Sequence, residues 1–178
     1  MTIHSVTYLK EKLNISTLNL VLLSVATGGI YPLMWLYRHQ DSIMEETGRP
    51  FSSRSLVIWM AVCFGLAAFL RPLFPVEVDQ YGYGYDSSSE TIAAIISLIS
   101  FAGIVLFIVW SFKARAALQH YALTQFRFEL KMNPAWTILF HVFYICYCIN
   151  AMPEALAKHQ IIHGKPDTPA SSTDNTSE

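Results

Sequence analysis

The sequence predicts an all-α integral membrane protein: a central two-helix transmembrane hairpin flanked by two further hydrophobic helical segments. Three observations carry that expectation. Apolar residues make up 53% of the 178-residue chain and charged residues only 14%, against about 25% charged in soluble domains. The apolar residues gather into four segments, 18–37, 56–74, 92–112 and 135–152. The connection 75–91 holds no Lys or Arg and carries Glu77, Asp79, Asp86 and Glu90, whereas the connections on either side of the hairpin are basic.

Crossing a bilayer takes about 20 mostly apolar residues, and 92–112 supplies them without interruption. Segment 56–74 is apolar from Leu56 to Leu70 and reaches full length when Arg71, beside Pro72, snorkels to the far interface. Loop 38–55 carries Arg38, Arg49 and Arg54, and loop 113–134 carries Lys113, Arg115, Arg127 and Lys131. The positive-inside rule puts both in the cytoplasm and loop 75–91 outside. Segment 92–112 is expected to continue as a helix to Phe126, with Ala117, Leu118, Tyr121 and Ala122 on one stripe.

The outer segments are interrupted. Segment 18–37 has Gly28-Gly29 at its centre and Pro32 a turn later, each costly inside a helix. Segment 135–152 contains His141 and Asn150, and its Trp136, Tyr144 and Tyr147 are interfacial-belt residue types. If all four segments span, Lys10, Lys12, Lys158 and Lys165 lie outside. If the outer two are re-entrant or interfacial, every Lys and Arg except Arg71 is cytoplasmic. The charge rule favours the second arrangement, and both stay open at this level. A polar helix over 38–47, closed by Gly48 and Pro50, and a restart at Pro134 complete a single membrane domain, 1–163. The tail 164–178, rich in Pro, Ser and Thr, is expected to be disordered. The run 18–23 that follows Lys10 and Lys12 is shorter than the roughly 7–15 residues of a signal h-region, so the segment is expected to be retained.

Membrane enzymes and proton-coupled transporters place ionisable groups within their apolar segments. Segments 18–37 and 92–112 contain none, and 135–152 contains only His141. No catalytic residue, cofactor or metal is expected, and the chain does not read as an enzyme. His141 reads as a packing residue. His159 and His163 share a helix face but lack an acidic or thiol partner nearby. Cys63, Cys146 and Cys148 read as small buried hydrophobes. The Tyr- and Gly-rich stretch 80–90 reads as a connector resting on the interface, and Gly65 and Ala68 with Gly103 and Ala94 as packing within the hairpin. A net charge of −1 without a basic run excludes nucleic acid. The expected partners are the lipid bilayer and either a second copy or another membrane protein.

Two motifs carry a family resemblance. Ser24-x-x-Thr27-Gly28-Gly29-Ile30-Tyr31 followed by Trp35-Leu36-Tyr37-Arg38, and Phe143-Tyr144-Ile145, Tyr147 and Ile149-Asn150, resemble the opening and closing motifs of the bacterial membrane family catalogued as domain of unknown function 4234. Pro32, Cys146 and Cys148 depart from its pattern. The resemblance implies a bacterial membrane protein and names no activity. Physically, Thr27 suits hydrogen bonding to carbonyls freed at a Gly28-Gly29 break. Tyr31 and Trp35 share a helix face, with Arg38 at the cytoplasmic interface. Asn150, able to make up to four hydrogen bonds, is expected to join segment 135–152 to that break. The chain thus reads as a small bacterial inner-membrane protein with an accessory, scaffold or regulatory task exercised through protein or lipid contacts. The alternative is a small oligomeric transporter or channel whose pathway is lined by the Gly28-Gly29 break.

Overall fold

A computed structural model describes residues 2–74 and 87–163. It contains six helices, with no strand among the described residues: α1 (Thr2–Leu13), α2 (Thr17–Ala26), α3 (Ile30–Thr47), α4 (Arg54–Leu73), α5 (Ser87–Phe126) and α6 (Pro134–His163). Most of the stretch 80–90 and all of the tail 164–178 lie outside the described residues.

Local chemistry sets the boundaries. Ser16 caps α2, its Oγ accepting from the Asn19 N–H at 3.2 Å. Gly48 takes φ 64, so that its N–H and that of Arg49 bond back to the Glu45 and Met44 carbonyls and close α3. Asn133 caps α6, its Oδ1 accepting from the Ala135 N–H at 2.9 Å. The polar stretch 38–47 is not a helix of its own. It continues the helix that begins at Ile30, because no turn residue separates Tyr37 from Arg38. Pro32 falls in the first turn of α3, where its missing N–H breaks no hydrogen bond.

Helices α4 and α5 form the hairpin and pack closely at Gly103, where an added Cβ would meet the Phe64 ring at 3.1 Å and Cys63 Cβ at 3.2 Å. Gly65 does not share in this packing: nothing lies within 4 Å of its Cβ position. Two residues of helix turn it about 200° from Cys63. The 40 residues of α5 extend about 60 Å, twice the hydrocarbon thickness. Its first half and α4 expose large apolar side chains, Trp59 at 62%, Phe69 at 64% and Leu98 at 68%, a surface suited to lipid rather than water. The expected stripe of Ala117, Leu118, Tyr121 and Ala122 on its second half is buried. There Leu118, Tyr121 and Ala122 pack into a core with Leu9 and Leu13 of α1, Trp35 and Ile43 of α3, and Ile149 and Met152 of α6.

By length and composition three helices, α4, α5 and α6, can cross a membrane. Helix α6 attains that length only across a break at His141, whose φ of 42 and ψ of −117 are not helical. The break folds the helix back. The Tyr144 hydroxyl accepts from the Asn133 N–H at 2.9 Å, whereas eleven residues of straight helix would separate the two by about 16 Å, beyond a tyrosine's reach. Before this fold-back, the strap 127–133 returns along α5, held by the Arg115 guanidinium on the Met132 carbonyl at 2.8 Å and by the Gln119 amide on the Leu130 carbonyl at 3.2 Å. Arm 134–140 then climbs until His141 meets the Phe107 ring at 6.2 Å. Arm 142–163 descends until His159 meets Phe128 at 5.9 Å.

Helices α2 and α3 make a second fold-back. The start of α2 lies against α6, and Gly28-Gly29 reverses the chain. Helix α3 then descends beside α4, where the Arg54 guanidinium lies over the Tyr37 ring at 6.0 Å and pairs with Asp41, its Nε 2.8 Å from Oδ2. Lys12 of α1 bridges Glu45 and Glu46 of α3 at 3.0 and 3.2 Å, and these carboxylates hold its ammonium above the ordinary pKa. Residue 12 and residue 159 therefore both sit at the base of the hairpin, with loops 38–55 and 113–134.

Candidate functional site

The tips of the two fold-backs line one groove. Gly28, Gly29, Ile30 and Leu33 form one wall, the α4 face of Ala61, Gly65 and Ala68 another, and Phe107 with His141 and Val142 the end. The groove has a volume of about 1120 Å³ and is open along one side. Arg71, in the last turn of α4, also lines it.

The Gly28-Gly29 tip satisfies its own backbone. The Thr27 hydroxyl donates to the Leu23 carbonyl at 2.7 Å and accepts from the Tyr31 N–H at 3.0 Å. The Gly28 and Gly29 N–H groups reach the Val25 and Ser24 carbonyls at 3.2 and 2.8 Å. A helix break among apolar surroundings is tolerable when its freed groups are paired in this way. Glycine is required at both positions by φ values of 60 and 88 rather than by crowding, since nothing lies within 4 Å of either Cβ position.

His141 makes the other tip. A left-handed φ is several-fold enriched at His, Asn and Asp among non-glycine residues, and this was the signal in the sequence for a bend there. Its ring packs on Phe107 and its Nε2 is buried with no hydrogen-bond partner. Tyr144 stabilises the bend through Asn133 and stacks on Tyr147 at 6.4 Å.

The remaining sequence candidates scatter. Trp35 is buried and stacks on His39 at 5.3 Å, Tyr31 is half-buried against the core, and Arg38 is exposed. Asn150 does join the outer segments, but at the base of α2 and not at the Gly28-Gly29 break. Its amide donates to the Ile15 carbonyl at 3.1 Å and lies 3.4 Å from the Thr17 hydroxyl. The cause is direction: nine residues past the bend, α6 has already descended to the level where α2 begins. The cysteines are free, Cys146 and Cys148 buried and Cys63 half-buried. Gly65 and Ala68, expected inside the hairpin, face the groove instead.

The family described as Domain of unknown function (DUF4234) matches residues 15–120, from the approach to α2 through most of α5. Tyr144 and Asn150, the closing part of the resemblance, lie beyond that match. No curated protein and no solved structure matches the chain. The match takes in the Gly28-Gly29 tip, the hairpin and more than half of the sequence, and on that basis the chain belongs to the DUF4234 family.

Proposed function

We propose that the protein is a non-enzymatic accessory component of the bacterial inner membrane, with both termini in the cytoplasm, and that it works by receiving a transmembrane helix of a partner protein in the groove. The chemistry of the lining carries the reading. Among the described residues it contains no carboxylate, and the only lining side chains charged or chargeable near neutral pH are Arg71 and His141. The α4 wall presents Ala61, Gly65 and Ala68 at helical spacing, the small-residue ridge that lets a second helix approach closely. Glycine costs about 1 kcal/mol against alanine inside a helix, and no neighbour among the described residues occupies the space that Gly65 leaves.

A photo-crosslinker at Ile58, which lines the groove, compared with one at Leu98, which does not, tests the proposal. It is supported by an adduct specific to Ile58 whose fragments map to a membrane helix of one identified protein and which Gly65→Leu abolishes. Adducts with lipid alone, or with a second copy of this chain, sink it. Discontinuous helices also line transport sites, and two of them meet here, which favours the transporter or channel as the second reading. Ion flux through purified protein in liposomes, blocked by Gly65→Leu, would establish that reading in place of the first.

A further inference from the structure

We infer that a pocket at the base of the hairpin, between loop 48–53 and α5, binds the phosphate group of an anionic ligand through Arg49 and Lys113. The pocket, about 500 Å³, is lined by Arg49, Pro50, Phe51, Lys113, Ala116 and Ala117. Both of its charged groups are cations, and neither makes an ion pair or side-chain hydrogen bond with the described residues. The other well-placed cations of this face are already engaged: Lys12 by Glu45 and Glu46, Arg54 by Asp41, and Arg115 by the Met132 carbonyl.

The chain builds the pocket from two fixed elements. The αL turn at Gly48 and the ring of Pro50 set the path of the loop. The Phe51 ring then seats against Trp110 at 5.8 Å and pins the loop to α5. Lys113, Ala116 and Ala117 are i, i+3 and i+4 on one face of α5. The two alanines leave open the space that larger side chains would fill. The Ser52 hydroxyl and the Trp110 indole N–H are buried without a hydrogen-bond partner and do not line the pocket, so its polar chemistry rests on the two cations. Two cations from different elements over a small-residue floor, at the hydrocarbon boundary on the basic side, suit a phosphate oxyanion. Such a group is carried by an anionic lipid or by a free phosphate compound.

The test uses the full chain in nanodiscs of phosphatidylcholine containing a small fraction of phosphatidylglycerol, with bound lipid counted by native mass spectrometry. A cation near the surface contributes about fivefold in anionic-lipid affinity. Arg49→Gln/Lys113→Gln should therefore lower phosphatidylglycerol retention roughly 30-fold. The charge-matched Arg38→Gln/Lys131→Gln should change it far less, and Ala116→Leu, which fills the pocket at constant charge, should lower it too. Equal losses in the two double variants, or full retention in Ala116→Leu, would overturn the site. Inorganic phosphate titrated against the retained lipid separates the sources: displacement assigns the site to free phosphate compounds, and persistence assigns it to the lipid headgroup. Neither outcome depends on what occupies the groove.

Discussion

Gly29→Ala puts the fold-back of α2 on α3 at risk in a way that fixes the sign of the result. Were segment 18–37 one continuous helix, alanine would be the better residue at both glycines. Each Gly→Ala substitution would then stabilise by about 1 kcal/mol. In the structure Gly29 has φ 88 and Gly28 φ 60, conformations that cost an L-residue about 1–2 kcal/mol each. Nothing lies within 4 Å of either Cβ position, so no steric term adds to that cost. Gly29→Ala should therefore destabilise by about 1–2 kcal/mol, and the double Gly28→Ala/Gly29→Ala by about 2–4 kcal/mol. For a chain of this size that corresponds to a fall in melting temperature of roughly 2–8 °C for the single variant, readable by thermal-shift chromatography in detergent. Gly29→Asn is the control for cause. Asparagine is bulkier than alanine but tolerates the left-handed region, so it should cost less. A higher melting temperature for the alanine variants would refute the fold-back and restore a spanning helix. A greater loss for asparagine than for alanine would show that crowding, not backbone conformation, sets the requirement.

At the other tip, His141→Gly should be more stable than His141→Ala by about 1 kcal/mol, because only glycine takes φ 42 without strain. A straight helix predicts the reverse order in the same melting assay. Asn150→Leu should cost about 1–3 kcal/mol by leaving the Ile15 carbonyl without its donor; an unchanged melting temperature would deny the α2–α6 contact. His39 is held below its ordinary pKa chiefly by burial, with the positive charge of Arg38 adding to the effect and the Trp35 carbonyl opposing it. The neutral ring is the form the fold favours, so its contribution is present above the unfolded-state pKa and lost as pH falls through the lowered one. Melting temperatures taken from about pH 7.5 down to about pH 5.5 should decline more steeply in the native chain than in His39→Gln, and equal slopes would remove His39 as the cause.

The hairpin and the αL stop at Gly48 were legible because each rests on a local rule: the 3.6-residue apolar period, the lysine and arginine count of the loops, and glycine's freedom at positive φ. The Gly28-Gly29 break was legible for the same reason. The bend at His141 was not read, since an apolar run shows no change of period where one residue leaves the helix. Its trace was only the residue type. The Asn150 contact was placed correctly between segments but at the wrong depth, because depth depends on which way α6 is travelling, and that is fixed by the bend. The groove itself was invisible. It forms from residues on five helices, and Gly65, which reads as hairpin packing by composition, turns out to line the groove with nothing within 4 Å of its Cβ position.

The ion pairs of Lys12 with Glu45 and Glu46 tie the beginning of the chain to the base of the hairpin, and this bears on how the protein enters the membrane. In the proposed topology the end of α4 from Arg71 onward and the connection to α5 must be carried across, and Arg71 is the one lysine or arginine among those residues. In that topology helices α2, α3 and α6 would enter from the side on which they were made. Insertion thus reduces to one translocation step followed by docking.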